Sequence, residues 1–260
     1  MGILRILGSC SGTEPMPGRH HTSLAVTVGD RNYFFDAGEN CAHTAHTMGV
    51  DVMKTRAVFI SHCHFDHIGG LAGLFWTIRK IKGREKREIA DGEVKVYIPL
   101  LETWECVCRI QELAGKGKPF PMRAWAQRPE VGTFYDDGAV KVIGYPSHHI
   151  PDYEDGTCSC FTYRIEAEGK KIVFSGDIGK PEDLIPAVEN GCDLLLCETG
   201  HHTVESICRF AETHSVKKLI FLHHGREILE NRPTVSEAIG TCRIPVTISN
   251  DRDVVNFSEI

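Results

Sequence analysis

The residues with the most chemistry to offer are His62, His64, Asp66 and His67, four donors spread over six positions of Ser61-His62-Cys63-His64-Phe65-Asp66-His67. Ala57 to Ile60 precede them as a short apolar run that reads as a strand ending inside a sheet. Side chains alternate at a strand end, so His62 and His64 face the same way and Cys63 faces into packing. Asp66 and His67 fall where the chain turns into a helix expected over Ile68–Ile81. Gly69, Gly70 and Gly73 in its first turns allow close approach to whatever the imidazoles hold. Three imidazoles and a carboxylate are borderline nitrogen and oxygen donors, which suit zinc and, less tightly, manganese or iron. A polar loop with satisfied histidines explains one such residue, not this set.

The same event recurs along the chain. A strand is expected at Tyr33–Phe35 and delivers Asp36 onto Ala37-Gly38. Val140–Tyr145 ends on Ser147-His148-His149, Lys171–Phe174 on Ser175-Gly176-Asp177, and Lys218–Leu222 on His223-His224. With the first cluster, the strand ends offer His62, His64, Asp66, His67, His148 or His149, Asp177, and His223 or His224. That suffices for two cations sharing a bridging carboxylate, with a position left for water. The residues alone reach a dinuclear metallohydrolase and do not choose the bond that is cut.

Elements must bring these strand ends together. Strands at Leu24–Val28, Val94–Ile98, Cys160–Ile165 and Leu194–Cys197 alternate with helices at Cys41–Met48, Leu100–Leu113, Leu184–Glu189 and Val204–His214. Strands and helices in two halves argue an α/β sandwich with the site along one edge of its sheets. Gly115–Pro129 reads as a Gly/Pro-interrupted connection carrying Phe120, Met122 and Trp125, and the 260 residues read as one domain. Glycine-rich Gly8–Pro15 lacks the Lys-Ser/Thr and following helix of a phosphate loop. The basic run from Arg79 to Arg87 reads as a solvated helix end paired with Glu85 and Glu88, with an RNA contact as the alternative.

Composition excludes several classes. With 42% hydrophobic and 25% charged residues the chain is an ordinary globular one, and a net charge of −6 means that any nucleic-acid role rests on a local patch. There is no apolar run of transmembrane length and no leader pattern, so no membrane role is expected. Eleven scattered cysteines read as reduced thiols of a cytoplasmic protein.

The motifs, taken in order, resemble the metallo-β-lactamase superfamily, whose signature is H-x-H-x-D-H followed by His, Asp and His. Here it stands as His62-Cys63-His64-Phe65-Asp66-His67, then His148, Asp177 and His223, with Phe35-Asp36-Ala37-Gly38 as the family's early Asp motif. The resemblance implies an αβ/βα four-layer sandwich with two divalent metal ions, zinc foremost and manganese or iron as alternatives, at the rim between its sheets. One ion would take His62, His64 and His148, and the other Asp66, His67 and His223, with Asp177 bridging. Asp36 would support the ligand loop. The family pattern picks His148 over His149 and His223 over His224.

Finer features resemble the ribonuclease Z and phosphodiesterase branch: Gly12-Thr13, Pro15, Arg19 and Thr22 near the start, Phe161–Ile165, and Glu198-Thr199-Gly200-His201-His202-Thr203. The resemblance implies that a histidine of this last segment acts as an acid, assigned here to His202, and that Asp66 assists the attacking water. Members that process tRNA insert a basic gripping arm between the His148 and Asp177 motifs. This chain has 28 residues there, including Asp152, Glu154 and Asp155. A small phosphodiester is therefore the expected substrate, with nucleic acid in reach but no tRNA arm. Many relatives dimerise, which makes a homodimer the implied assembly. Hydrolysis of a lactone, thioester or other acyl bond is the alternative chemistry, and an idle metal-binding module the third reading.

Overall fold

The computed structural model describes residues 1–117 and 123–260. Two sheets of seven strands face each other. The first runs in the order β14-β1-β2-β3-β4-β5-β6, comprising Val254–Asn256 (β14), Ile3–Gly8 (β1), Ser23–Val28 (β2), Arg31–Phe35 (β3), Thr55–Phe59 (β4), Glu93–Tyr97 (β5) and Arg123–Gln127 (β6). The second runs β7-β8-β9-β10-β11-β12-β13, comprising Gly132–Asp136 (β7), Lys141–Pro146 (β8), Phe161–Ala167 (β9), Lys170–Phe174 (β10), Leu194–Glu198 (β11), Leu219–Leu222 (β12) and Val246–Ile248 (β13). In these orders each sheet takes three antiparallel steps and then three parallel ones.

Helices Cys41–Thr47 (α1), Leu71–Glu85 (α3) and Leu101–Ala114 (α4) cover the outer face of the first sheet, and Ile185–Val188 (α5), Val204–Thr213 (α6) and Pro233–Thr241 (α8) that of the second. Short turns at Phe65–Ile68 (α2) and Arg226–Leu229 (α7) complete the set. The arrangement is the four-layer sandwich that the sequence implies. Helix α3 buries Leu71, Leu74, Phe75 and Ile78, the i, i+3, i+4, i+7 stripe that the helical period places on one face. Helix α6 starts at Thr203, whose side chain accepts the Ser206 N–H at 3.2 Å, and buries Val204, Ile207, Cys208 and Ala211.

The core between the sheets is aromatic where it underlies the ligand loop. Phe59 stacks on Phe35 at 4.9 Å and on Tyr97 at 5.1 Å, and Tyr163 crosses from the second sheet to donate its hydroxyl to the Ile60 carbonyl at 2.7 Å. Each such ring pair adds about 0.5–1.5 kcal/mol beyond burial. The Phe161 N–H bonds the Ser61 carbonyl at 2.9 Å, so both sheets hold the start of the His62–His67 loop.

Several expectations change. The expected helix over Ile68–Ile81 is broken into α2 and α3 by Gly69-Gly70, and α3 continues to Glu85. Part of the expected connection Gly115–Pro129 is edge strand β6, which carries Trp125; Phe120 and Met122 lie outside the described residues. The sequence reading did not anticipate β7, or α8, β13 and β14 near the C-terminus, all short elements with little apolar periodicity. In the basic run, Lys82 pairs with Glu88, Arg84 with Glu85 at 3.2 Å, and Arg87 with Asp51 at 2.5 Å, as a solvated helix end would. Among the described residues no helix is long and apolar enough to cross a membrane, and all eleven cysteines are free.

Candidate metal centre

Asp36 anchors the ligand loop from below. It is fully buried just beyond β3, in a left-handed conformation (φ 55°). One carboxylate oxygen accepts the Ser61 N–H at 2.7 Å. The other accepts the Ser61 hydroxyl at 2.8 Å and the His67 Nδ1–H at 2.6 Å. A proton held on His67 Nδ1 leaves Nε2 as the free lone pair, the usual way a buried carboxylate sets a ligand's tautomer. Asp36 is therefore a support and not a member of the donor clusters, in keeping with the family pattern.

Above it the donors converge in three overlapping groups, one of which joins Asp177 and His223 to Glu198 and His201. His62, His64, His149 and Asp177 bring one atom each within 4.8 Å of one another, and so do Asp66, His67 and His223. Asp177 joins them. Its Oδ2 lies 3.7 Å from His62 Nε2 and 3.6 Å from His149 Nε2, while its Oδ1 lies 3.4 Å from His67 Nε2 and 3.3 Å from His223 Nε2. Asp66 Oδ2 completes the second group, 3.2 Å from His223 Nε2 and 3.3 Å from His67 Nε2.

The two histidine doublets resolve differently. At the end of β8 the structure turns His148 outward, its side chain 72% exposed and its Nδ1 2.9 Å from buried Asp183, which also accepts the His148 N–H. His149 is the residue that enters the cluster, with Nε2 3.3 Å from His64 Nδ1. The expected placement of His148 is thus corrected: the Ser147 hydroxyl bonds the Asp177 carbonyl and Asp183 captures the next ring, which presents the one after it. At the end of β12 His223 enters the cluster, as expected, on a left-handed turn (φ 50°). His224 points away, fully buried, donating from Nε2 to the Ser249 carbonyl at 2.8 Å, and burial drives its pKa down to about 3.

His202, the residue assigned the acid's role, is turned away from the donors. His202 Nε2 donates to the Ile178 carbonyl at 3.0 Å, behind the site. His201 is the one that faces the donors, its ring 4.4 Å from that of His149 and 5.7 Å from that of His223. Its Nδ1 lies 2.8 Å from Oε2 of Glu198, a fully buried carboxylate that also accepts the N–H groups of His201 and Ile178. The hydrogen bond to Glu198 raises the His201 pKa, against the opposing effect of burial. The sequence held a signal for this: in the H-x-T spacing at Thr203 the histidine is His201. Glu198 and Asp183 were not read as partners, because nothing local marks a buried carboxylate as one.

Glycines let the donors close up. A Cβ on Gly12 would lie 2.9 Å from the Asp66 carboxylate, and one on Gly200 2.6 Å from His223 Nδ1. The glycine-rich turn after β1 therefore packs on a donor, and Arg19 bonds Ser9 Oγ and the Ser249 carbonyl, a scaffold and not a phosphate cradle.

The electrostatics fit a cation. Burial favours protonated carboxyls at Asp177 and Asp66, yet the surrounding imidazoles outweigh it and hold both pKa values far below the usual carboxylate range. Burial, reinforced by His67, keeps His62 neutral. His62 Nε2 and Asp177 Oδ1, one on each side of the site, are buried without a hydrogen bond, a costly state for polar atoms. His67 Nε2 and His223 Nε2 lie 3.2 Å apart, where two lone pairs repel unless a proton or a cation stands between them. Imidazole and carboxylate donors of this kind accept zinc-like divalent ions.

Fold and site together define a metallohydrolase class, and residues 31–224 match the family model described as the β-lactamase superfamily domain. The chain belongs to the metallo-β-lactamase superfamily. Within it the chain falls in the ribonuclease Z and phosphodiesterase-like branch: it is 31% identical to a ribonuclease Z of Methanothermobacter thermautotrophicus over 262 residues, 82% of this chain and 83% of the relative. A ribonuclease Z of Methanocaldococcus jannaschii is 32% identical over 156 residues, 59% of this chain and only 47% of that relative. Among solved structures, human tRNase Z, short form, aligns with a TM-score of 0.72 at 19% identity, covering 98% of both chains. A diphosphatase from the PhnP family aligns at 0.69 and 18%, covering 99% of this chain and 98% of its own. At those identities the two structures speak for the fold.

Proposed function

We propose that this protein is a metal-dependent phosphodiester hydrolase with a dinuclear site, residues 1–260 forming one domain around it. The observation that carries the reading is Asp177, whose two oxygens each face a separate imidazole group. His62, His64 and His149 with Asp177 Oδ2 would hold one ion, and Asp66, His67 and His223 with Asp177 Oδ1 the other. Two divalent ions bound there would supply a water acidified toward neutrality and positive charge for the phosphoryl oxygens. Asp66, a partly buried carboxylate, would assist that water's deprotonation. His201, held by Glu198 through Nδ1, keeps Nε2 free to carry a proton to the leaving oxygen. Eleven free thiols support a reducing, cytoplasmic setting. Residues 149–176 supply a loop and the whole β9–β10 hairpin, which leaves no length for a tRNA-gripping arm.

The test is turnover of bis(p-nitrophenyl) phosphate by metal-stripped protein reloaded with Zn²⁺ or Mn²⁺, run beside a lactone and a thioester. Metal-restored phosphodiester cleavage, absent in Asp177→Ala, is the expected result. Acyl hydrolysis without phosphodiester cleavage would overturn the proposal.

A further inference from the structure

The helix leaving the metal centre has an unusual outer face. Phe65 sits between two donors of the cluster and is 74% exposed, its ring lying against Gly69. From there the backbone stays right-handed through Gly69 and Gly70 into α3, so that positions 69, 73, 76 and 80 follow one another at helical spacing. Glycines 69, 70 and 73 floor a groove of about 500 Å³ against α1, walled by Trp76. Trp76 also walls a second groove of about 550 Å³ between α3 and the end of α4, where Arg79, Lys80 and Lys116 come together. No carboxylate is among the described residues that line this second groove. The Arg79 guanidinium and the Lys80 ammonium lie 5.4 and 5.0 Å from the Trp76 ring centre.

Packing accounts for only part of this face: Arg79 Nη1 donates to the Gln111 carbonyl near the end of α4 at 3.0 Å. A Cβ on Gly70 would strike the Gly38 carbonyl at 2.1 Å, so that glycine is required, but one on Gly73 meets nothing within 4 Å. A mid-helix glycine costs about 1 kcal/mol relative to alanine, and at Gly73 it secures only the open groove. The neighbouring cations Lys82, Arg84 and Arg87 are neutralised by Glu88, Glu85 and Asp51, whereas Lys80 is exposed beside the Trp76 ring and Lys116 is exposed in the same groove. In a chain of net charge −6 this is a local basic patch of the kind a polyanion needs.

We propose that the track holds a single-stranded oligonucleotide, its strand running from the metal centre past Phe65 and along α3. Bases stack on Phe65 and Trp76, and phosphates lie over Arg79, Lys80 and Lys116. Aromatic platforms beside a cationic groove bind single strands irrespective of sequence, because every base presents a π-face and every nucleotide a phosphate. Phe65 to Lys80 spans about 20 Å along the helix, room for several nucleotides. The proposal rests on the phosphodiesterase reading and narrows it from any small phosphodiester to single-stranded RNA or DNA.

The test compares kcat/KM of the metal-loaded enzyme on bis(p-nitrophenyl) phosphate with that on labelled oligonucleotides of two, four and eight residues. The expected result is a rise with length that Trp76→Ala reduces by roughly 5- to 100-fold, the range of one lost base–aromatic stack. Gly73→Leu, whose Cβ meets nothing within 4 Å, fills the groove and lowers the oligonucleotide rate alone, with an unchanged melting temperature as the check on the fold. Lys80→Gln with Lys116→Gln lowers the slope of log affinity against log salt by about 1.4, two phosphate contacts at about 0.7 each. A rate independent of length, or variants that slow both substrates equally, would overturn the track. So would a change of oligomeric state in Trp76→Ala, which would mark the face as a protein interface. If no phosphodiester is turned over, the phosphodiesterase reading fails separately, and fluorescence anisotropy of the eight-residue strand still decides: binding weakened by these variants supports the track, and no binding overturns it.

Discussion

The two halves of the molecule follow the same strand plan and furnish the site in opposite ways. In each sheet three antiparallel steps precede three parallel ones, so β3 corresponds to β10, β4 to β11 and β5 to β12. The first half puts His62, His64, Asp66 and His67 on the single loop after β4, held from beneath by Asp36 after β3. The second half spreads His149, Asp177, His201 and His223 over the ends of β8, β10, β11 and β12. Its carboxylate after β10 is a donor between the groups, where its counterpart after β3 is a support. One loop braced by one carboxylate is a rigid unit. Four separate strand ends need the whole sheet to be in register. The donors of the first half therefore stand or fall together, and those of the second can be removed one at a time.

The largest expected effect follows from the one residue both groups share. Asp177→Ala removes a carboxylate facing four imidazoles and should abolish turnover and lower bound metal to one ion per chain or fewer, read by elemental analysis beside the phosphodiesterase assay. Two tightly bound ions in that variant would break the comparison, since Asp177 would then be no bridge. Asp36→Ala strikes the brace instead. Removing one partner of a buried charged network costs about 3–5 kcal/mol, and loss of a ligand's outer partner weakens metal binding about 10- to 100-fold. Thermal unfolding of the metal-free variant separates the two losses, and a brace confined to metal binding would leave the metal-free melting temperature unchanged.

Next in size are the doublets of the second half. His201→Ala should lower kcat by about 10²–10⁴-fold on a substrate with an alkoxide leaving group. The loss should be much smaller with p-nitrophenolate, which leaves without a proton. His202→Ala should change either rate little. A His201→Ala deficit equal for both leaving groups would argue for a role in binding. In the same way His149→Ala should cost metal and activity, while His148→Ala, an exposed ring on Asp183, should cost neither; the reverse result would restore His148 as the ligand.

What the sequence disclosed tracks the same division. The contiguous loop was legible because alternation and the short spacing leave His62, His64, Asp66 and His67 few directions to point, and the strand ending before it was marked by its apolar run. Asp177 and His223 were legible as donors at strand ends. The choice within His148-His149 and within His201-His202 was not, because it depends on Asp183 and Glu198. These carboxylates lie 35 and 3–4 residues away from the rings they capture or orient, and their burial is a property of the sheet. The H-x-T spacing, in which the histidine is His201, bears on the second choice. Strands β6 and β7 escaped because edge strands need neither length nor a continuous apolar face, and the open face of α3 escaped because a glycine floor looks like a helix start until the neighbouring helix is in place.

The smallest effect tests whether the halves are also tied away from the metals. Asp137, in the turn between β7 and β8, reaches from the second sheet to the first. It accepts the Tyr33 hydroxyl at 2.6 Å and the Tyr135 hydroxyl at 3.1 Å, and Arg31 lies 3.2 Å away. Tyr33 lies at the middle of β3, the strand whose end carries Asp36. Burial opposes ionisation of Asp137, but the Tyr33 hydroxyl and the amides of Val140 and Ala139 outweigh it and hold its pKa below the usual carboxylate value. A carboxyl with a depressed pKa in the folded state contributes stability above its unfolded value, about 3.9, and loses it as pH falls through the folded one. Asp137→Asn should therefore lower stability at pH 7 by about 1 kcal/mol, the worth of a charge-assisted hydrogen bond relative to a neutral one. The gap to wild type should begin to narrow below about pH 4, where the unfolded chain takes up the proton first, and should close only once pH has fallen through the lower folded value. Denaturant unfolding of metal-free protein at pH 7 and pH 3.5 measures it, and phosphodiesterase activity at neutral pH should be unchanged. A constant gap at both values would mean that the tie works through packing, and a loss of activity that the far end of β3 bears on Asp36 and the loop it braces.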